Sequence, residues 1–304
     1  PVNATEINGR ALLWDTIREA IPFIITGSAI QLFQIIDQNT FIHVMGWISK
    51  YSKSELLVQF AYFSANPNKI TMILIAVATS IGGVGIPLLT ENYVKGDFRS
   101  AARLVQDNLS MLIFFILPAT IGAVLVAEPL YTVFYGKPDG LALGLFIFAM
   151  LQTIILSLYT VLAPMIQALF QNRKAIIYFL YGVGVKLVLQ VPLIYIFKAY
   201  GPLLATTVGL IIPILLMYQE IRKVTGLNPK NLFKRSLLSV ILTVLMTIFV
   251  LVAELLIGLF LHPSGRISSF VYIALIGGIG LAVYGGLALK VRLMDRFIGS
   301  KAAS

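Results

Sequence analysis

The sequence predicts an all-α integral membrane protein with eight transmembrane helices. Three observations carry that prediction. Of 304 residues, 58% are hydrophobic and only 12% charged, whereas soluble domains carry about 45–50% apolar and about 25% charged residues. Mean hydropathy is +0.90. The apolar residues gather into eight runs, each close to the roughly 17–25 residues that a helix needs to cross the hydrocarbon. Lys and Arg then divide unevenly between alternate connections, as the positive-inside rule expects of an even number of spans.

The first run, 17–38, carries Gly27, Gln31, Gln34 and Gln38 at spacings of four, three and four. At 100° per residue these share one narrow helix face, with Asp37 beside it. An amide stripe facing lipid is costly, so it should face other protein or a watery cavity. The following connection, 41–69, is the longest predicted on the external side. Within it 54–63 reads as a short interfacial helix, with Glu55 in its first turn and Trp47 as an upstream interface anchor.

The second run, 70–90, contains Gly82, Gly83, Gly85 and Pro87, which weaken the helix ladder in mid-membrane. Interrupted helices of this kind occur where transporters bend or expose backbone. No Lys-Ser/Thr follows the glycines, so they do not form a phosphate-binding loop. The segment 97–108 reads as amphipathic, with Phe98, Ala101, Ala102 and Val105 on one side and Asp97 as its N-cap.

The third run is 109–133 and the fourth 141–164. In the fourth, Thr153, Ser157 and Thr160 lead toward Pro164 and Gln167 on one face. Such hydroxyls serve either close helix packing or a polar path. The fifth run, 175–197, places Tyr178, Gly182, Lys186 and Gln190 four residues apart, with Lys186 near its middle. A central lysine costs about 2.5–3.5 kcal/mol on insertion scales, so it needs water, a carboxylate partner or an anionic ligand. Asp37 and Glu254 are the candidate partners; a structural ion pair and a substrate or coupling role both remain open. A tight KAYG turn leads to the sixth run, 202–219.

The basic stretch 222–235 reads as a loop, either setting topology alone or lying on anionic headgroups. In the seventh run, 236–261, Ser236, Ser239, Thr243, Thr247 and Glu254 share a face. The eighth, 267–289, has a small-residue ladder, Ala274, Gly278, Ala282 and Gly286, expected to pack closely on the seventh.

Sixteen Lys and Arg fall on the side of the chain ends, in the groups led by Arg10, Lys95, Arg173, Arg222 and Lys290 and closing with Arg292, Arg296 and Lys301. Six fall on the other: Lys50, Lys53, Lys69, Lys137, Lys198 and Arg266. The sixteen are therefore expected in the cytoplasm, with both ends of this segment inside. The same placement accounts for the net charge of +10 without a nucleic-acid partner. There are no cysteines, and His43 and His262 lie far apart in predicted loops. No metal site and no cofactor are expected.

Four stretches resemble the polysaccharide and lipid-linked oligosaccharide flippases of the MOP (MATE-like) superfamily. They are Ile-Ile-Asp37-Gln-Asn-Thr-Phe; SIGGVGIPLLTENYVKGD with the segment after it; Ala127-Glu-Pro-Leu-Tyr-Thr-Val-Phe-Tyr-Gly136; and Ala163-Pro-Met-Ile-Gln-Ala-Leu-Phe-Gln-Asn-Arg-Lys174 with Ala199-Tyr-Gly-Pro-Leu-Leu-Ala-Thr-Thr207. Within that superfamily the chain is most similar to the Gram-positive-type lipid II flippases and the stage V sporulation protein B group. The resemblance implies a six-helix second lobe over 17–221, a basic cytoplasmic loop over 222–235, and a carboxyl-terminal helix pair with tail over 236–304. It implies that an amino-terminal lobe of the same protein is missing, with 1–16 as a cytoplasmic lead-in at the point of truncation. Gram-negative lipid II flippases place a cavity arginine on the helix matching the second run. This chain has no basic residue between Lys69 and Lys95, and Lys186 is the charge offered in its place.

The expected function is a flippase of the cell membrane that moves an undecaprenyl-linked cell-wall or polysaccharide precursor, lipid II first among them, by alternating access. Its expected partners are that anionic lipid-linked precursor, membrane lipids and the missing lobe. The substrate cavity is expected at Gln31, Gln34, Asp37, Gln38, Lys186 and Gln190, with the helix bend at Gly82, Gly83, Gly85 and Pro87. Thr153, Ser157, Thr160 and Glu254 are secondary candidates. Two alternatives stand beside it: a drug/cation antiporter using Asp37, and a non-transporting scaffold of the cell-wall machinery. An enzyme is not expected, because the thirteen carboxylates are scattered and form no DxD-like pair.

Overall fold

Twelve helices and no strand make up residues 9–291, which the computed structural model describes. The predicted cytoplasmic charges Arg292, Arg296 and Lys301, and residues 1–8 of the lead-in 1–16, lie outside the described residues, whereas 9–16 belong to α1. The helices are α1 (Gly9–Gly27), α2 (Ala29–Ile48), α3 (Lys53–Phe63), α4 (Ala65–Gly83), α5 (Ile86–Val94), α6 (Phe98–Leu125), α7 (Ala127–Tyr135), α8 (Gly140–Ala168), α9 (Asn172–Phe197), α10 (Gly201–Thr225), α11 (Pro229–Ile257) and α12 (Arg266–Lys290). Six helical stretches are long and apolar enough to cross a membrane, and seven when the bent pair α1–α2 counts as one. The chain is a multi-pass membrane protein.

The first predicted span is two helices. Gly27 ends α1, Ser28 forms a turn, and α2 leaves at 53°. Glycine stiffens a helix least, and Pro22 inside α1 removes a further ladder donor. The bend is fastened to α8: Thr26 gives its carbonyl to the Tyr159 hydroxyl at 3.1 Å and its own Oγ1 accepts from the Gln167 amide at 2.8 Å. Because α2 runs on to Ile48, Asp37 lies mid-helix rather than at a span's outer end, and His43 is helical rather than in a loop. The long external connection accordingly shrinks to 49–52, followed by α3. A capping box starts α3, with the Ser52 N–H donating to Glu55 Oε2 at 2.7 Å and the Glu55 N–H to Ser52 Oγ at 3.3 Å.

Asp97 caps α6 as the sequence predicts, its Oδ1 accepting from the Ser100 N–H at 3.0 Å. The amphipathic segment is the first part of α6 itself, burying Ala101 and Val105, while Phe98 stays exposed and meets Tyr93 edge-on at 5.7 Å. The predicted basic loop 222–235 is mostly helix. Gly226 ends α10 in the left-handed region at φ +70, Asn228 caps α11 through the Lys230 N–H at 3.0 Å, and Pro229 follows where a missing N–H costs nothing. The charges sit on the two helix ends, where Lys174 pairs with Glu220 at 2.6 Å and Arg235 with Asp107.

Helix α8 is the axis of the bundle and buries residues around its whole circumference, from Ala142 to Ala168. It packs on α4, α6 and α10, and more lightly on α3, α5 and α7. Helices α9 and α10 fold back on each other through a 3-10 turn at Lys198–Tyr200. Glycines set how closely they approach. A Cβ on Gly182 would lie 2.3 Å from the Gly209 carbonyl oxygen, one on Gly209 3.0 Å from Lys186 Cβ, and one on Gly201 2.5 Å from the Ile194 nitrogen. Close backbone approach of this kind is what small residues supply between membrane helices.

The pair α11–α12 docks on α6 and α7. Its packed face on α12 is Tyr272, Ile276, Gly280, Tyr284 and Ala288, against Leu242, Met246 and Val250 of α11 and Val126. The Tyr284 hydroxyl donates to the Phe114 carbonyl of α6 at 2.7 Å. Helix α11 is thus the expected partner, but the contact face is corrected. Ala274, Gly278, Ala282 and Gly286 are exposed, because they stand two residues, about 200°, from the row that the large side chains fill.

A polar cavity over a covered ion pair

A cavity of about 350 Å³ opens between α2, α4, α8 and α10, reaching the junction of α3 and α4. Its polar lining comes from Gln31, Gln34 and Asp37 of α2, Ser64, Asn68 and Thr71 around the start of α4, Gln152 of α8 and Thr206 of α10. Phe33, Met72, Ile75 and Leu156 belong to its apolar walls. Of the lining side chains only Asp37 is charged.

Behind Asp37 lies a dense polar knot. The Lys186 ammonium donates to Asp37 Oδ1 and to Thr206 Oγ1, both at 2.6 Å. The Gln190 amide donates to the same Asp37 Oδ1 and to Thr40 Oγ1, both at 2.8 Å. Phe33 places its ring 5.1 Å from the ammonium. Lys186 and Gln190 are fully covered and Asp37 is 7% exposed. Helical spacing explains the convergence: Lys186 and Gln190 are four apart on α9, and Phe33, Asp37 and Thr40 form the matching row on α2. A buried charge persists when paired and hydrogen-bonded, and Lys186 has both. Of its two predicted partners, Asp37 is the one the fold supplies. Glu254 sits half-buried on α11, which adds nothing to the cavity.

The predicted cavity residues therefore separate. Gln31, Gln34 and Asp37 line the space, whereas Gln38 is exposed on α2 outside it. Lys186 and Gln190 sit behind the wall, so the Lys186 ammonium offers no surface to an anionic ligand in this arrangement. Gln190 Oε1 is covered and takes no hydrogen bond among the described residues.

The interruption at 84–85 separates α4 from α5, with Pro87 in the first turn of α5. Gly82 and Gly85 let neighbours approach: added Cβ atoms would meet Val161 at 2.8 Å and Asn108 Nδ2 at 2.2 Å, whereas Gly83 faces open space. Asn108 donates to the Gly82 carbonyl at 3.4 Å. None of the four lines the cavity.

The hydroxyl row of α8 is a packing feature. Thr153 and Thr160 donate to their own helix at Ala149 and Ser157, and the covered Ser157 Oγ has no partner among the described residues. The adjacent residue is the one that reaches the cavity. Gln152 spends both amide donors on α10, to the Leu203 carbonyl at 2.7 Å and Thr207 Oγ1 at 2.9 Å. The sequence reading passes over Gln152, although a Gln in an otherwise apolar run is a signal that could have found it. Nothing in the periodicity singles out Thr206, Thr40 or Phe33.

No family model matches the chain. Among curated proteins it is 28% identical over 296 residues, 96% of its length, to the lipid II flippase MurJ of Bacillus subtilis (strain 168). The chain spans about half, 54%, of that relative's length.

Proposed function

We propose that this chain is part of a flippase that carries a lipid-linked cell-wall precursor, lipid II, across the cell membrane. One observation carries the reading: membrane-crossing helices flank a cavity of about 350 Å³ that sets Gln31, Gln34, Asp37 and Gln152 among mainly apolar walls, in a chain similar along 96% of its length to a lipid II flippase. Counting α9 and α10 as separate spans and α1–α2 as one gives eight, six forming a lobe over 17–221 and two a carboxyl-terminal pair.

In this reading the lobe is one wall of the transport path and works by alternating access against a second, amino-terminal lobe. Gln31 and Gln34 hydrogen-bond the headgroup. Lys186, Asp37 and Gln190 hold α2 to α9 and fix the charge at the cavity floor. The break at Gly82, Gly83, Gly85 and Pro87 is the flexing point of its helix. The basic side, including the ends of α10 and α11, faces the cytoplasm and its anionic headgroups. No covalent step is involved. The antiporter alternative needs a carboxylate free to exchange an ion, and the engagement of Asp37 Oδ1 by both Lys186 and Gln190 counts against it.

The test is genetic. The full natural protein containing this chain is expressed in a strain depleted of its own lipid II flippase. Restored growth, with precursor appearing in the outer leaflet, is expected; a stably inserted protein that restores neither sinks the reading.

A further inference from the structure

We infer that a separate cleft, between the first half of α1 and the start of α9, holds the headgroup of a membrane phospholipid that carries both a phosphate and a primary ammonium, as phosphatidylethanolamine does. The inference rests on the chain's spanning a membrane and is independent of what the protein transports.

The cleft measures about 540 Å³. Asp15, Arg18, Glu19 and Pro22 of α1 line one side, at spacings of three, one and three that place them on a single helix face. Asn172, Arg173 and Ile176 of α9 line the other. The cleft shares no residue with the cavity beside Asp37. Two cations and two carboxylates therefore surround one space. Among the described residues none of the four side chains makes an ion pair or a hydrogen bond. Opposite charges that line one concavity and leave each other free suit a ligand that carries both signs.

The level of the cleft points to an amphiphile. Asn172 and Arg173 begin α9, where the chain enters its apolar run, and the adjacent Lys174 is paired with Glu220 toward the end of α10. Trp14, 68% exposed, adjoins Asp15 on α1, where an aromatic side chain serves as an interface anchor. Toward the membrane middle Pro22 and Ile176 complete the lining, and the next turns expose Ile24 and Leu180. A molecule seated here meets charge first and apolar surface below it, the order in which a phospholipid presents its head and chains.

The charges then select the head. Arg18 and Arg173 have the planar donor forks that match a phosphate. Helix α9 starts without a side-chain cap at Gln171, so the N–H groups of its first turn add partial positive charge on the same side. Asp15 and Glu19 can only accept. A primary ammonium offers them three N–H donors, whereas a trimethylammonium offers none. A purely anionic head would satisfy the arginines and leave two carboxylates unpaired beside its phosphate.

For the test, the full natural protein is stripped of lipid in detergent and offered phosphatidylethanolamine, phosphatidylglycerol and phosphatidylcholine with identical acyl chains. Native mass spectrometry counts what is retained. Phosphatidylethanolamine is expected to exceed each of the others about fivefold, the equivalent of one hydrogen bond. Asp15→Asn with Glu19→Gln should erase its margin over phosphatidylglycerol, and Arg18→Gln with Arg173→Gln should lower the retention of all three. All four side chains are exposed, so neither double variant should move the thermal midpoint. Free phosphoethanolamine, a head without chains, should not displace the lipid at equal excess. Retention led or equally shared by either other lipid would overturn the inference. So would a margin that survives both double variants, or displacement by the free head, which would mark a site for a soluble ligand.

Discussion

Lys186 and Asp37, far apart in the sequence, meet at 2.6 Å with the ammonium fully covered. A pair of this kind is asymmetric in its energetics. Removing one partner strands the other charge at about 3–5 kcal/mol, whereas replacing both with apolar groups of similar size is often neutral or stabilising. Lys186→Met and Asp37→Leu are therefore each expected to lower the thermal midpoint of the purified protein strongly. The double variant should recover most of the loss. A double variant as unstable as the sum of the singles would contradict the pairing.

The hairpin of α9 and α10 gives a sharper steric prediction. Gly182→Ala puts a carbon 2.3 Å from the Gly209 carbonyl oxygen, and backbone on both sides leaves nowhere to move. Overpacking of this order costs about 1–3 kcal/mol. Gly184, two residues on, has nothing within 4 Å of its added Cβ, so Gly184→Ala should be silent. Thermal unfolding of the two variants side by side measures the difference.

Tyr284→Phe keeps the ring on Phe114, centroids 5.1 Å apart, and deletes the bond to the Phe114 carbonyl. A loss of about 1 kcal/mol is expected. It should appear as faster proteolysis in the 258–265 connection between α11 and α12, with protection of α8 unchanged.

Asp97 offers a pH readout at the start of α6. The hydroxyl and N–H of Ser100 hold its carboxyl below the ordinary carboxylate value. A depressed folded value means that the cap's contribution is present above the unfolded value and is lost as pH falls through the folded one. Carbon NMR of the labelled carboxyl should show a midpoint below the usual range, and Ser100→Ala should raise it toward that range.

What the sequence made legible follows from what it encodes locally. Apolar run length marks helices, and the capping residue Asp97 marks the start of α6, because a cap acts within a few residues of itself; the caps at Ser52 and Asn228 are passed over. Lys186 stands out because a central lysine is improbable without a partner, and it shares with Gln190 a row on α9 that meets Asp37. Which face of a helix meets another was less legible. In lipid, an outward apolar face and an inward one read alike, so the α12 ladder through Gly278 could not be told from the packed row through Tyr284. The bend at Ser28 was hidden for a related reason: Gly27 fitted the amide stripe equally well as a member or as a break. Asp37 was consequently placed at a span's end, although it lies in the middle of α2.

The cavity draws its lining from α2, α3, α4, α8 and α10, with no residue from α11 or α12. The final helix pair is thus insulated from the polar chamber. Substitutions on the outward faces of α11 and α12 are therefore expected to leave the shape of that chamber unchanged.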